Sequence, residues 1–176
     1  MNRKLKLWEL NRVSESEFKV QTKFPLIIVL DNIRSLNNIG SFFRTSDAFN
    51  VEKLYLCGIT AQPPHRDINK TALGATDSVV WKHVDSTVDL ILSLKKDGYS
   101  ICSIEQAELT VPLNEIEKLK HSKFALVFGN EVDGVDQRVI DLSDNIIEIP
   151  QFGTKHSLNV SVCAGVVMWE FAKKYI

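Results

Sequence analysis

Residues 124–134 read FALVFGNEVDG: six apolar or small residues without a charge, then an amide, a carboxylate and an Asp-Gly pair closing on Gly134. A half-exposed strand alternates apolar and polar positions, whereas a short unbroken apolar run is a strand buried on both faces. Such a strand needs helices above and below it. Outward from it the chain supplies them. FPLIIVLD (24–31), VEKLYLCG (51–58), VVWKHV (79–84), YSICSI (99–104) and NIIEIP (145–150) read as further strands. Between them, helical spacing appears in Asn38–Asn50 through Ile39, Phe42, Phe43, Ala48 and Phe49, in Ser86–Lys96, in Asp136–Leu142 and in Leu158–Tyr175. A polar loop containing Pro63 and Pro64 separates the second and third strands. The alternation predicts an α/β fold, a mainly parallel sheet with helices on both faces, whose sites lie past the carboxyl ends of the strands.

The chain has 176 residues, 44% of them hydrophobic and 24% charged, without Gly/Ser-rich, Pro-rich or repeated segments. That is the length and composition of one globular domain. The opening MNRKLKLWEL is broken by Glu9, and no later run reaches membrane-spanning length, which predicts a cytoplasmic protein. Cys57, Cys102 and Cys163 are far apart in apolar surroundings and read as buried, reduced thiols, with no metal-ligand set. The net charge of −1 supplies no global field for a polyanion, so any nucleic-acid contact rests on local patches. One patch is the basic extension 1–23: up to residue 24, Arg3, Lys4, Lys6, Arg12, Lys19 and Lys23 face only Glu9, Glu15 and Glu17. It reads either as an RNA-facing segment or as a basic amphipathic helix packed through Leu5, Leu7, Trp8 and Leu10.

Three loops at the strands' carboxyl ends concentrate polar residues. In NIRSLNNIGSFFR (32–44), Asn37, Asn38 and Gly40 open a helix with Arg44 on its second turn; the helix start can hold a phosphate or be capped by Asn37 or Asn38. In FGNEVDG (128–134), two glycines let backbone approach a ligand, with Asn130 and Glu131 between them; an ordinary Asp-Gly turn is the simpler alternative, and Glu131 can equally cap a helix or pair with an Arg. In IPQFGTKHSLNVSVCAG (149–165), Ser157 is placed to cap the last helix while Asn159 points elsewhere.

Asn38, Gly40 and Arg44 (N-x-G-x-x-x-R), the block LVFGNEVDG (126–134) and the block IPQFG-TKH-SLNVSV (149–162) resemble, in order and spacing, the three motifs of the SpoU/TrmH family of 2′-O-ribose RNA methyltransferases, members of the SPOUT class. The resemblance runs from about Phe24 to the C-terminus and implies a methyltransferase domain over 24–176. It further implies a C-terminal trefoil knot within about 124–176, a feature too rare to propose from pattern alone. The implied cofactor is S-adenosylmethionine, held by Phe128, Gly129, Asn130, Gly134, Ile149, Pro150, Gln151, Ser157 and Leu158. The implied catalytic residue is Arg44, arranged with Asn38, Glu131, Ser157 and Asn159. KTALGATDSVVW (70–81) also resembles the family's loop between the second and third strands, and that resemblance implies the tRNA-acting branch, so tRNA is favoured over ribosomal RNA. Gln151 stands where the family often has Met, and substrate selection is expected to come from the short N-terminal segment and the loops rather than from a long added domain.

Family members dimerise through the knot helix, and Val162, Val166, Val167, Trp169 and Phe171 exceed what one buried stripe needs, which predicts a homodimer. His156 and His83 have no partner identifiable from sequence, and Cys163 reads as packing. Other readings remain open at this stage: a non-catalytic knotted RNA-binding module, or a doubly wound nucleotide or flavin binder using FGNEVDG, although the G-x-G-x-x-G and Walker A spacings are missing.

Overall fold

The computed structural model describes residues 2–176, with the side chain of Leu7 outside the described set. Seven strands form one sheet: β1 (Phe24–Asp31), β2 (Val51–Cys57), β3 (Trp81–Val84), β4 (Ser100–Ile104), β5 (Val111–Pro112), β6 (Phe124–Gly129) and β7 (Asn145–Glu148). Their order is β3-β2-β1-β6-β4-β7-β5, and every neighbouring pair is parallel. Because all run the same way, their carboxyl ends share one edge: Asp31 pairs with Gly129, Ile104 with Phe128, and Ile147 with Ile104.

The helices are α1 (Glu15–Val20), α2 (Leu36–Ala48), α3 (Arg66–Ala72), α4 (Ala75–Ser78), α5 (Thr87–Lys96), α6 (Gln137–Leu142) and α7 (Val160–Ala172). On one face of the sheet, α2 and α7 bury Ile39, Phe42, Phe43, Val167, Met168 and Phe171 against Leu26, Ile28, Leu126 and Phe128. On the other, Leu90, Ile91 and Leu94 of α5 and Val139 of α6 cover Ile27, Val29 and Val127. Alternate residues of β1 and β6 thus enter opposite cores, which is why both strands carry no polar position until their ends. Phe42 and Phe128 meet edge to face at 5.1 Å. Each fully buried phenylalanine contributes roughly 1.5–3 kcal/mol.

The structure adds the two-residue strand β5 to those read from the sequence, and it departs from that reading elsewhere. The loop before β3 contains α3 and α4, which bury only Ile68, Ala72, Ala75 and Ser78; elements so short offer too few apolar repeats to register as periodic. The N-terminal segment is not a long amphipathic helix. It makes a 3₁₀ turn at Leu7–Glu9, where Arg3 donates to Glu9 at 2.7 and 2.9 Å, and then α1, started by a Ser14–Glu17 capping box and anchored through buried Phe18. Leu5, Trp8 and Leu10 stay exposed. Finally, α7 begins at Val160, two residues later than expected. Among the described residues no helix is long and apolar enough to cross a membrane.

Candidate functional site

The site is built where β1, β4, β6 and β7 end. β1 closes on Asp31, a buried carboxylate that accepts from Thr87 Oγ1 at 2.6 Å, Asn32 Nδ2 at 2.9 Å and the Asp136 amide at 2.9 Å. One side chain therefore ties the end of β1 to the starts of α5 and α6. The chain then turns through Asn32 at positive φ, and Ser35, not Asn37 or Asn38, caps α2 by accepting from the Asn38 amide at 3.3 Å. Asn38 is released for other work.

β6 ends at Gly129, where a Cβ would overlap the Gly134 carbonyl carbon and the Val135 nitrogen. The 130–134 turn folds back so closely that only hydrogen fits there. Asn130 fixes the turn, its amide and carbonyl bonded to Gly134 and its Oδ1 accepting from the Val132 and Asp133 amides at 2.8 Å each. Gly134 sits at φ +72°, which glycine adopts without strain.

This turn carries the Glu131 carboxylate onto the first loop. It accepts from the backbone amides of Arg34 and Ser35, each at 3.2 Å, and from Asn38 Nδ2 at 2.8 Å. Asn38 Oδ1 in turn accepts from Asn159 Nδ2 at 3.3 Å. The three loops thus meet in a chain of side chains, Glu131–Asn38–Asn159. Among the described residues Glu131 neither caps a helix nor pairs with an arginine side chain; α6 is capped by Asp136. Asn159, not Ser157, caps α7: its Oδ1 takes the amides of Ser161 at 3.0 Å and Val162 at 3.3 Å, the second and third helical residues. One asparagine starts the helix with its oxygen and holds Asn38 with its nitrogen.

Burial pushes the Glu131 carboxyl up, but the Asn38 amide and the backbone amides more than offset it, leaving it below the usual carboxylate range. A depressed folded value stabilises the protein above the unfolded value of about 4.5, and that stabilisation disappears as pH falls through the folded value. Wild type is therefore expected to melt above Glu131→Gln at pH 7, with the gap narrowing toward pH 3. Thermal melts across that range check this; a gap independent of pH contradicts it.

Beside the three loops lies a cleft of about 400 Å³. Every residue expected to hold a cofactor lines it except Pro150, and Glu131 and Asn159 border it as well. Ile104, Ile147, Ile149 and Leu158 make one wall apolar; Glu105, Gln106 and Asn130 supply polar groups. Glu105 and Gln106, directly after β4, belong to none of the motifs read from the sequence. Cys163 is half-buried on α7 and reaches the cleft, its thiol pushed up to about 11, chiefly by burial and then by the Glu105 charge. It is a neutral packing group at pH 7.

Arg44 stands apart. It lies on the third turn of α2, not the second, because the helix starts at Leu36. Six residues from Asn38 is a rotation of roughly 120° about the axis. Arg44 is exposed and shares a stripe of α2 with exposed Asn37 and half-buried Ser41. The Asn38 side faces α7, where Phe49 packs on Trp169 at 5.9 Å. Arg44 does not line the cleft, and among the described residues its side chain makes no hydrogen bond or ion pair. His83 Nε2 lies 2.9 Å from the Gly58 carbonyl, and His156 is exposed.

The model of the SpoU rRNA Methylase family matches residues 25–169, spanning the whole sheet save its first residue and all three loops. The chain belongs to that family. A tRNA (guanosine(18)-2′-O)-methyltransferase of Aquifex aeolicus is 33% identical over 146 residues, 82% of this chain and 67% of the relative. The 23S rRNA (guanosine-2′-O-)-methyltransferase RlmB of Vibrio parahaemolyticus is 28% identical, over 94% of this chain and 66% of the relative. The chain thus spans about two thirds of the length of these SpoU relatives. Among solved structures, the A. aeolicus TrmH/SpoU tRNA modifying enzyme superposes with a TM-score of 0.79 at 28% identity, covering 91% of this chain and 79% of that one. An AdoMet-bound rRNA methyltransferase from Sinorhizobium meliloti shares the fold, with a TM-score of 0.81 at 23% identity over 88% of this chain and 58% of that one.

Proposed function

We propose that this SpoU-family chain transfers a methyl group from S-adenosylmethionine to a ribose 2′-hydroxyl of RNA, with tRNA favoured over ribosomal RNA. The observation that carries the reading is the Glu131–Asn38–Asn159 chain, which fastens three loops at the rim of one cleft. The relative at 33% identity bears a tRNA methyltransferase name, which favours tRNA.

The cleft suits the donor on its own features. Its volume lies in the range of small-molecule sites. Its apolar wall can cover a purine, and Gly129, whose hydrogen-only space is taken up by the Gly134–Val135 backbone, keeps the 130–134 turn tight along the cleft. Phe128, Gly129, Asn130, Gly134, Ile149, Gln151, Ser157 and Leu158 would hold it. S-adenosylmethionine supplies an electrophilic methyl on a cationic sulfur, so no metal or covalent intermediate is needed. The protein aligns the 2′-oxygen in line, excludes water and assists loss of the hydroxyl proton.

Arg44 is assigned the acceptor side. A guanidinium holds its proton up to a pKa of roughly 12.5–13.8, so its natural work is to bind an RNA phosphate bidentately and stabilise the developing 2′-oxyanion. Its separation from the cleft within one chain fits a homodimer in which a second copy completes the site. Val162, Val166 and Trp169, at 55%, 42% and 47% exposure, form an apolar stripe on α7 beside the cleft. A one-chain mass by light scattering at micromolar concentration would remove the dimer. The same reading includes the trefoil knot and a cytoplasmic setting.

Two measurements test the function. Calorimetry should show S-adenosylmethionine binding, and tritium from labelled donor should appear in RNA, with nucleoside mass spectrometry locating a 2′-O-methyl ribose in tRNA. Donor binding without transfer to tRNA or rRNA would leave a non-catalytic module instead.

A further inference from the structure

We propose that Glu105 and Gln106 form a clasp that holds the two walls of the cleft in register, Gln106 being the latch of the 150–158 connection and a positioning residue for the methyl donor. This rests on the cleft being the donor's site. The 150–158 connection has no regular structure, and every residue in it is exposed, Phe152 at 97%. A segment of this kind has neither ladder nor core to fix it. Among the described residues, one hydrogen bond reaches it: Gln106 Nε2 donates to the His156 carbonyl at 2.8 Å. That bond spans fifty residues of sequence and lands next to Ser157 and Leu158, both of which line the cleft.

The adjacent residue holds the opposite wall. Glu105 Oε2 accepts from the Val135 amide at 3.1 Å, where the 130–134 turn leaves the cleft, and lies against the Gly134 α-carbon, where a Cβ would overlap it. Glu105 Oε1 accepts from the Gln106 amide at 2.9 Å, which fixes the direction in which the second side chain leaves β4. The Glu105 amide is itself bonded to the Ile147 carbonyl at 3.1 Å, so the clasp is mounted on the sheet. Two consecutive side chains on one rigid strand end therefore set the distance between both ligand-bearing loops.

The design separates donation from packing. Gln106→Glu keeps the shape but replaces the donor N–H₂ with an acceptor that faces a carbonyl, whereas Gln106→Ala removes both. The first readout uses the full chain without donor: trypsin cleavage after Lys155, followed by mass spectrometry well below the melting midpoint of each protein. Both variants should be cut severalfold faster than wild type. The second is calorimetry with S-adenosylmethionine, where both should bind roughly two- to tenfold more weakly, the loss of one hydrogen bond. Wild-type cleavage and affinity in both variants would overturn the clasp, as would wild-type behaviour of Gln106→Glu alone, which would make the contact one of packing. Absence of donor binding by wild type would instead overturn the reading of the cleft, and the proteolysis comparison would still decide the latch.

Discussion

Arg44→Lys is expected to lower methyl transfer to RNA by about two to three orders of magnitude at saturating donor, the scale of losing one preorganised donor to a developing oxyanion. The dissociation constant for S-adenosylmethionine should stay within about twofold. The expectation rests on position. Arg44 is exposed on α2, does not line the cleft, and makes no polar side-chain contact among the described residues, so removing its fork costs neither fold nor donor site. Lysine keeps the charge, yet it offers a point charge where a planar, bidentate donor is needed to fix a phosphate and an oxyanion together. Turnover measured with saturating RNA, beside calorimetry, separates the two effects. Equal losses in turnover and donor affinity would show that Arg44 belongs to the cofactor side, and the division of labour proposed above would fall.

Much of this arrangement was readable from the chain before any coordinates. FALVFG marked a strand covered on both faces because unbroken apolarity leaves no face for water, and that strand lies at the centre of the sheet. The glycines at 129 and 134, read as an approach to a ligand, meet the Gly134–Val135 backbone and the Glu105 carboxylate instead, whereas the polar loops at 32–44, 128–134 and 149–165 lie at one edge as expected because the strands are all parallel. What sequence could not supply was pairing. Glu131 as a carboxylate after a buried strand has several possible partners, and nothing local shows that two backbone amides and Asn38, more than ninety residues away, would take it.

The helix caps show the same limit. Ser157 and Asn159 are both good caps, and Ser35, Asn37 and Asn38 all stand near the start of α2. Which one caps is decided by what the others must do. Asn159 reaches Asn38 from the cap position, and Asn38 is free to receive it because Ser35 has taken its backbone amide. Glu105 and Gln106 escaped notice for a related reason. Their partners, Val135 and the His156 carbonyl, are backbone groups with no sequence signature.

The close approach at Gly129 yields the largest expected loss of stability. In Gly129→Ala the new methyl meets main chain, the Gly134 carbonyl carbon and the Val135 nitrogen, so no rotamer change can relieve it. Nor can the strand withdraw: Gly129 pairs with Asp31 on β1, and the residue before it pairs with Ile104 on β4. The turn has to move instead, breaking the Asn130–Gly134 pair and carrying Glu131 off the Arg34 and Ser35 amides. Forced backbone displacement with loss of buried contacts costs about 3 kcal/mol or more. For a chain of this length that lowers the melting temperature by about 10 °C, and donor binding should go with it. Gly153→Ala is the matched control, since a Cβ there has nothing within 4 Å, and its effect should stay within about 0.5 kcal/mol. Calorimetric melts of the two variants decide the point. If both melt alike, the turn is compliant, and the wall it forms cannot be what holds Glu131 against the first loop.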